Sequence, residues 1–253
     1  MAWFRTRKRR SLPALAYPQR RIGVAFLALV LLAVAALFYP VSDVGHPSPP
    51  EVYVALGASD AVGIGADDPE RHAWPSLVQV GLPDNTRLIN LGISGATLRD
   101  VLRHQLPPAL DARPRWVSIW PGVNDLRAGV PLPTFTSQLD QLLGTLRRQL
   151  GPDTILLVVN IPDLRPVPVF ATMDKAALDA VVQQWNAAIA ASAERHGALL
   201  VDLYAHGLDL VEHPEYLSAD GFHPSSAGYQ RIADLVLAAI EGHDSSFTPP
   251  TTQ

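Results

Sequence analysis

The strongest constraint on the fold is a regular alternation of short apolar runs with longer amphipathic segments between residues 51 and 242. The short runs are typical of buried strands, and the longer segments have the 3.6-residue apolar period of helices that cover a core. The predicted strands are residues 52–56, 87–91, 116–120, 154–160 and 198–203. The predicted helices are about residues 74–80, 97–105, 134–150, 175–196 and 225–241. Strict alternation predicts an α/β fold in which helices cover both faces of one parallel sheet of about five strands.

The N-terminal part of the chain has a different composition. Seven of the 20 Lys and Arg residues precede residue 22, and an uncharged apolar stretch of 18 residues follows at positions 22–39. At about 1.5 Å per residue this stretch nearly matches a hydrocarbon core of about 30 Å. No Lys or Arg follows until Arg71, so the positive-inside bias places the N-terminus in the cytoplasm and the remainder outside.

This composition divides the chain into five predicted parts. They are a basic cytoplasmic leader (1–21), a transmembrane signal-anchor (22–41), a Pro-rich linker (42–50), the main domain (51–242) and a flexible tail (243–253). A cleaved signal peptide is the alternative for the apolar segment, because Ala33-Val34-Ala35 has the small-x-small form of a cleavage site. The long basic leader and the apolarity on through Tyr39 favour the anchor. We therefore expect a membrane-anchored protein whose main domain lies in the cell envelope or at the cell surface, or a secreted one if cleavage occurs.

Composition also excludes several kinds of site. The chain has no cysteine, which excludes disulfide scaffolds, thiolate zinc sites, iron–sulfur clusters and thiol nucleophiles. All 24 acidic residues follow the basic leader, and an acidic body repels phosphate backbones, so we expect no nucleic-acid partner. Asp202, His206, Glu212 and His213 match no familiar metal-ligand spacing. We expect neither a metal nor another cofactor.

Polar residues beside glycines follow the first three predicted strands. These segments are Gly57-Ala58-Ser59-Asp60, residues 90–95 (Asn-Leu-Gly-Ile-Ser-Gly) and residues 121–125 (Pro-Gly-Val-Asn-Asp). Just before the last helix, Asp220 precedes His223 by three residues, so its carboxylate can bond Nδ1 of the ring while Nε2 points elsewhere. In a doubly wound sheet all four segments can face one crevice at the carboxyl ends of the strands.

These four segments, in this order, resemble the four blocks of the SGNH (GDSL-type) hydrolase family, which includes esterases, lipases and lysophospholipases of the thioesterase I kind. The resemblance covers about residues 51–242. It implies a flavodoxin-like three-layer α/β/α sandwich, in agreement with the periodicity. Residue by residue, it implies the nucleophile Ser59, the triad partners Asp220 and His223, and an oxyanion hole made by the N–H groups of Ser59 and Gly95 and the side chain of Asn124.

The chain departs from the family pattern at one place. The family usually has Asp between the glycine and the nucleophile, where this chain has Ala58, and the acid stands one place after the serine, at Asp60. This departure leaves open how the nucleophile loop is braced.

The implied activity is that of a serine ester hydrolase that acts through an acyl-enzyme on a small-molecule or lipid ester. The same residues would also serve an O-acyltransferase, and a membrane-tethered binding module with a vestigial triad is a third possibility, raised by Ala58. The loop at 161–170 is predicted to overhang the crevice, with Leu164, Val167 and Phe170 as an apolar wall for the acyl chain. The alternative is a hydrophobic loop packed on its own domain.

Overall fold

The computed structural model of the protein describes residues 50–206 and 209–246. The predicted leader, the membrane span, nearly all of the linker and the end of the tail lie outside these ranges. Within them, no helix combines the length and the apolarity needed to cross a membrane. The anchor, its cleavage and the location outside the cytoplasm therefore stay predictions.

The sheet has five parallel strands. They are β1 (Val52–Leu56), β2 (Arg87–Asn90), β3 (Trp116–Ile119), β4 (Ile155–Val159) and β5 (Leu199–Val201). Their spatial order is β2-β1-β3-β4-β5, and every neighbouring pair is parallel. This order is the flavodoxin-like one. All five predicted strands are confirmed, with ends that differ by two residues at most.

The helices include all five segments predicted from periodicity. In chain order they are α1 (Ser59–Val62), α2 (Pro69–His72), α3 (Trp74–Gly81), α4 (Leu98–Asp100), α5 (Leu106–Asp111), α6 (Val123–Arg127), α7 (Leu132–Leu150), α8 (Lys175–Arg195), α9 (Leu203–His206) and α10 (Ser226–Ser246). A π-helical turn at Val101–Gln105 joins α4 to α5, and short 3₁₀ turns lie at Pro168–Phe170 and Pro214–Tyr216. The helices that were not predicted have six residues or fewer, too few to show a helical period. The last helix runs on into the segment predicted as a tail.

Helices cover both faces of the sheet. Every residue of β3 and β4 is buried, which requires cover on each face, because side chains alternate between the faces along a strand. The long helices form two groups, α3 packed on α10 and α7 packed on α8. The result is the expected α/β/α sandwich.

The carboxyl end of β1 is the point where the strand order reverses. Ala55 of β1 pairs with Asn90 of β2, and Leu56 pairs with Ile119 of β3, so these strands end level with one another. Ligand crevices in open α/β sheets form at such a point. The segments that follow the three strands therefore meet at one edge of the sheet.

A buried carboxylate ties two of these segments together. Asp125 of α6 is 1% exposed, and its two oxygens lie 3.1 and 3.2 Å from the backbone nitrogen of Leu98, which donates to them at the start of α4. Burial, with a smaller contribution from the nearby charge of Asp100, raises the pKa of Asp125 to about 6. The hydrogen bond from Leu98 lowers this pKa but does not outweigh burial.

This buried acid predicts a pH-dependent difference in stability between the wild type and Asp125→Asn. Because the pKa is raised in the folded state, the unfolded chain loses the proton first, so folding becomes less favourable as pH rises from about 4 to about 6. Asparagine keeps an acceptor for Leu98 and has no proton to lose. We expect the variant to gain on the order of 2 kcal/mol relative to the wild type between about pH 4 and about pH 7, measured by urea denaturation. The same difference at both pH values would contradict this assignment.

Candidate active site

The predicted nucleophile lies at the turn between β1 and α1. β1 ends at Leu56, and α1 begins at Ser59, with Ala58 as its N-cap residue. The helix is only four residues long, and its C-cap residue is Gly63, whose φ of +89° is the left-handed conformation that favours glycine. This tight strand-to-helix turn places the Ser59 side chain at the carboxyl edge of the sheet.

The predicted acid and base lie in a closed loop before α10. The backbone nitrogen of Ser218 donates to the carbonyl oxygen of His223 across 2.9 Å, which closes the loop. Inside it, Oδ1 of Asp220 accepts from the backbone nitrogens of Phe222 and His223 at 2.8 and 2.9 Å, and from the Ser218 hydroxyl at 2.8 Å. These three hydrogen bonds therefore hold the Asp220 carboxylate in place independently of its bond to the imidazole ring.

A continuous hydrogen-bond chain joins the acid, the imidazole and the serine. Nδ1 of His223 lies 2.6 Å from Oδ2 of Asp220, and Nε2 lies 2.9 Å from Oγ of Ser59. An ionised carboxylate can only accept, so Nδ1 carries the proton and Nε2 is free to accept the serine hydroxyl. The structure thus brings together the three residues predicted for the triad.

The charge of Asp220 is held by its hydrogen bonds. Partial burial acts to raise the pKa of this carboxyl, but the ring and backbone N–H groups of His223 outweigh it, with Ser218 and Phe222 adding to their effect. The net result is a pKa well below the usual range of an aspartate. The group beside His223 is therefore a carboxylate at any pH near neutrality.

Besides the N–H of Ser59, two oxyanion donors were predicted, and only one of these two residues lines the cavity. Asn124, on α6, lines the cavity in front of Ser59, and its Nδ2 donates one hydrogen to the carbonyl of Ala96 at 3.0 Å. The second hydrogen of this amide remains for another acceptor. Gly95 has a φ of +79°, and a Cβ there would meet no atom within 4 Å, so backbone conformation is what requires glycine. Gly95 is not among the residues that line the cavity.

The cavity in front of Ser59 has a volume of about 80 Å³ and includes His223 and Asn124 in its lining. Leu164 and Val167 of the predicted wall also line it, and both are nearly fully buried. The third predicted wall residue, Phe170, does not line the cavity. Its ring packs edge to face on Phe222 with centroids 6.3 Å apart, and Phe222 lines the cavity in its place.

A buried amide that the sequence did not reveal holds the first residue of the nucleophile turn. Gln105 is fully buried, its Oε1 accepts from the nitrogen of Gly57 at 3.0 Å, and its Nε2 donates to the Gly57 carbonyl at 2.9 Å. Gln105 ends the π-helical turn at Val101–Gln105, and such turns are frequent at functional sites. A prediction based on a 3.6-residue period cannot show which side chain a π turn aims inward.

Asp60 is a second residue that contacts the nucleophile turn. Its Oδ1 accepts from the backbone nitrogen of Ala58 at 3.3 Å, and its Oδ2 accepts from the indole Nε1 of Trp74 at 3.2 Å. Burial of the carboxyl raises its pKa to about 6, against the effects of these donors and of the nearby His223. The sequence marked Asp60 only as an acid displaced from position 58.

In the ranges that the structure describes, no three His, Cys, Asp or Glu side chains are grouped so that they could hold a metal ion. The groups that meet at this edge of the sheet are the hydroxyl of Ser59, the imidazole of His223 with the Asp220 carboxylate behind it, and the amide of Asn124. Together they can transfer a proton from the hydroxyl to the imidazole and offer N–H donors to a developing negative charge.

Comparison with known proteins places this geometry in a family. The model of the GDSL-like Lipase/Acylhydrolase family matches residues 55–231. An acetylxylan esterase of Geobacillus stearothermophilus is 30% identical over 170 residues, which cover 65% of this chain and 77% of the relative. An arylesterase of Vibrio mimicus is 26% identical over 219 residues, which cover 85% of this chain and 100% of the relative.

Solved structures share the fold. The structure of an α/β hydrolase enzyme from the metagenome of Lake Arreo, Spain, matches with a TM-score of 0.62 at 24% identity, over 76% of this chain and 95% of that one. The family match, which covers more than half of the chain, agrees with the resemblance seen in the four sequence blocks. The chain therefore belongs to the GDSL-like lipase/acylhydrolase family and is a carboxylic ester hydrolase.

Proposed function

We propose that the protein cleaves carboxylic esters through an acyl-enzyme on Ser59, with His223 as general base and Asp220 as its orienting carboxylate. The observation that carries this proposal is the hydrogen-bond chain from Asp220 through His223 to Ser59, which ends at a largely apolar cavity. A serine hydroxyl is a weak nucleophile at neutral pH, so it needs a base within hydrogen-bond reach.

The reaction follows from the positions of these groups. As Oγ of Ser59 attacks the ester carbonyl, Nε2 of His223 takes the hydroxyl proton and then gives it to the departing alcohol. The resulting imidazolium is stabilised by the carboxylate of Asp220, 2.6 Å from Nδ1. A water molecule then attacks the acyl-enzyme with the same base, which releases the acid and restores Ser59.

We further propose that the oxyanion is held by the backbone N–H groups of Ser59 and Gly95 and by the amide of Asn124. Support comes from the placement of Asn124 on the cavity wall, with one of its two amide hydrogens already held by Ala96. That bond fixes the direction of the amide plane, so the second hydrogen is oriented before substrate arrives. Preorganised donors of this kind stabilise the transition state without reorganisation.

Ser59→Ala tests the nucleophile. We expect the purified full-length variant to melt within a few degrees of the wild type and to lose at least about 10³-fold in kcat on p-nitrophenyl acetate, because the acyl-enzyme cannot form. The exposed Ser137, in the long helix α7, provides a matched Ser→Ala control, which should keep full activity. Equal turnover by the wild type and Ser59→Ala would contradict the proposed mechanism.

Asn124→Ala tests the oxyanion donor. Loss of one such donor costs about 2.7–4 kcal/mol in the barrier, so kcat should fall about 10²–10³-fold while KM changes little. Asn85→Ala, in the exposed loop before β2, is the matched control and should keep the wild-type kcat. A larger effect on KM than on kcat would assign Asn124 to substrate binding instead.

We also propose that the acyl group is short. The cavity of about 80 Å³ is much smaller than the pockets of roughly 300–1,000 Å³ that enclose larger ligands. Leu164 and Val167 are packed into the core beside it, so the wall has little room to yield. The similar protein from Geobacillus stearothermophilus is named an acetylxylan esterase, and an acetyl group is a short acyl group. Long-chain lipid esters are the competing class of substrate.

The dependence on acyl length tests this proposal. With p-nitrophenyl esters, we expect kcat/KM of the wild type to be highest for acetate to butyrate and to fall about tenfold or more at octanoate. Leu164→Ala should move the optimum to longer chains because it removes part of the wall, whereas Val169→Ala, at a side chain that is 49% exposed, should not. A wild-type optimum at octanoate or longer would favour the lipid esters.

A further inference from the structure

The helix that carries the nucleophile lacks the usual side-chain cap. Ala58 is the N-cap residue of α1 and has no side-chain acceptor for the first turn. A helix of four residues has few other bonds to hold it, so the direction of Ser59 must be fixed by other side-chain contacts.

Two side chains supply these contacts, and they hold the same peptide plane. Nε2 of Gln105 donates to the carbonyl oxygen of Gly57 at 2.9 Å, while Oδ1 of Asp60 accepts from the nitrogen of Ala58 at 3.3 Å. This carbonyl and this N–H belong to the one peptide group between Gly57 and Ala58. With both of its edges bonded, the plane cannot rotate freely, and its orientation sets where the next residue, Ser59, begins.

The carboxylate of Asp60 is itself fixed by the core. Its second oxygen accepts from Nε1 of Trp74 at 3.2 Å, and Trp74 is fully buried at the start of α3. The Trp74 ring packs edge to face on Trp120, with centroids 6.4 Å apart, and Trp120 lines the cavity in front of Ser59. Asp60 therefore connects the nucleophile turn to the buried core of the domain.

The remaining anchors of α1 do not depend on Asp60. Gln105 also accepts from the Gly57 nitrogen, and Nδ2 of Asn90 donates to the carbonyl of Ala61 at 2.6 Å. Removal of the Asp60 carboxylate would thus leave both ends of the turn attached, while it would release the Ala58 side of the peptide plane and the indole N–H of Trp74. This makes a local effect on Ser59 separable from unfolding.

We propose that Asp60 is a positioning residue for the nucleophile, which fixes the Gly57–Ala58 peptide opposite Gln105 and so replaces the acid that this chain lacks at position 58. This inference rests on the proposed role of Ser59. The hydroxyl and the backbone N–H of Ser59 act mainly in the transition state, so their misplacement should lower kcat rather than raise KM. A displacement near 1 Å is enough to cost about 10²-fold in rate.

The test compares Asp60→Ala, Asp60→Asn and the control Asp84→Ala, an exposed acid in the loop before β2, in the full-length protein. We measure kcat and KM on p-nitrophenyl acetate, per active site counted by titration with an organophosphate. Asp60→Ala should lose about tenfold or more in kcat per site, with KM within about threefold of the wild type. Asp60→Asn keeps one carbonyl acceptor, so its kcat per site should lie between those of Asp60→Ala and the wild type. Asp84→Ala should have the wild-type kcat per site.

Two results would overturn the positioning role. One is a kcat per active site within about threefold of the wild type in Asp60→Ala, even with a lower melting temperature, because a merely structural role reduces only the folded fraction. The other is an Asp60→Asn variant that is less active per site than Asp60→Ala. If Asp60→Ala does not fold, an Asp60→Asn variant that folds but is inactive per site would overturn the role in the same way. Full turnover in Asp60→Ala with none in Ser59→Ala would leave the proposed function intact. Equal turnover in the wild type and Ser59→Ala would overturn both proposals.

Discussion

The hydrogen bond of 2.9 Å between Nε2 of His223 and Oγ of Ser59 joins two residues that lie 164 positions apart in the chain. It forms only if the loop before the last helix reaches the turn after the first strand. Gly65 permits this approach, since its φ is +96° and a Cβ there would lie 2.5 Å from the carbonyl oxygen of Pro224. The packing of α10 on α3 brings the two segments to the same edge of the sheet. The site is thus a product of the whole domain.

Around this bond the domain places polar groups where an apolar core would be more stable. The amide of Gln105 and the carboxyl of Asp125 are buried, and the carboxyl of Asp60 is half-buried, at the ends of the strands. Burial of an acid is unfavourable unless hydrogen bonds compensate for it, and the pKa values of both acids rise to about 6 in spite of their donors. In exchange, each fixes a backbone group of a loop that borders the cavity. These buried polar groups therefore orient the loops around the cavity and lower the stability of the folded domain in doing so.

The sequence was sufficient for the features that repeat or that stand at fixed spacing. Periodicity located all five strands and the long helices, and the Asp220 to His223 spacing predicted a contact that a three-residue separation permits in one loop. The sequence did not reveal that Gln105 holds the backbone of Gly57, because the π turn alters the helical period by which inward-facing residues are recognised. The roles of Asp60 and Phe170 depend on distant partners, Trp74 and Phe222, that only the folded chain brings near.

Covalent capture of the nucleophile tests the proposed mechanism most directly. The full-length protein is treated with diisopropyl fluorophosphate at neutral pH, its remaining esterase activity is followed, and the modified peptide is identified by mass spectrometry. We expect one phosphoryl group per chain, on Ser59, with loss of activity in proportion to labelling. Labelling of a His223→Ala variant should be much slower because the base that activates the serine is gone. Labelling at another residue, or full labelling of Ser59 with undiminished esterase activity, would contradict the central claim.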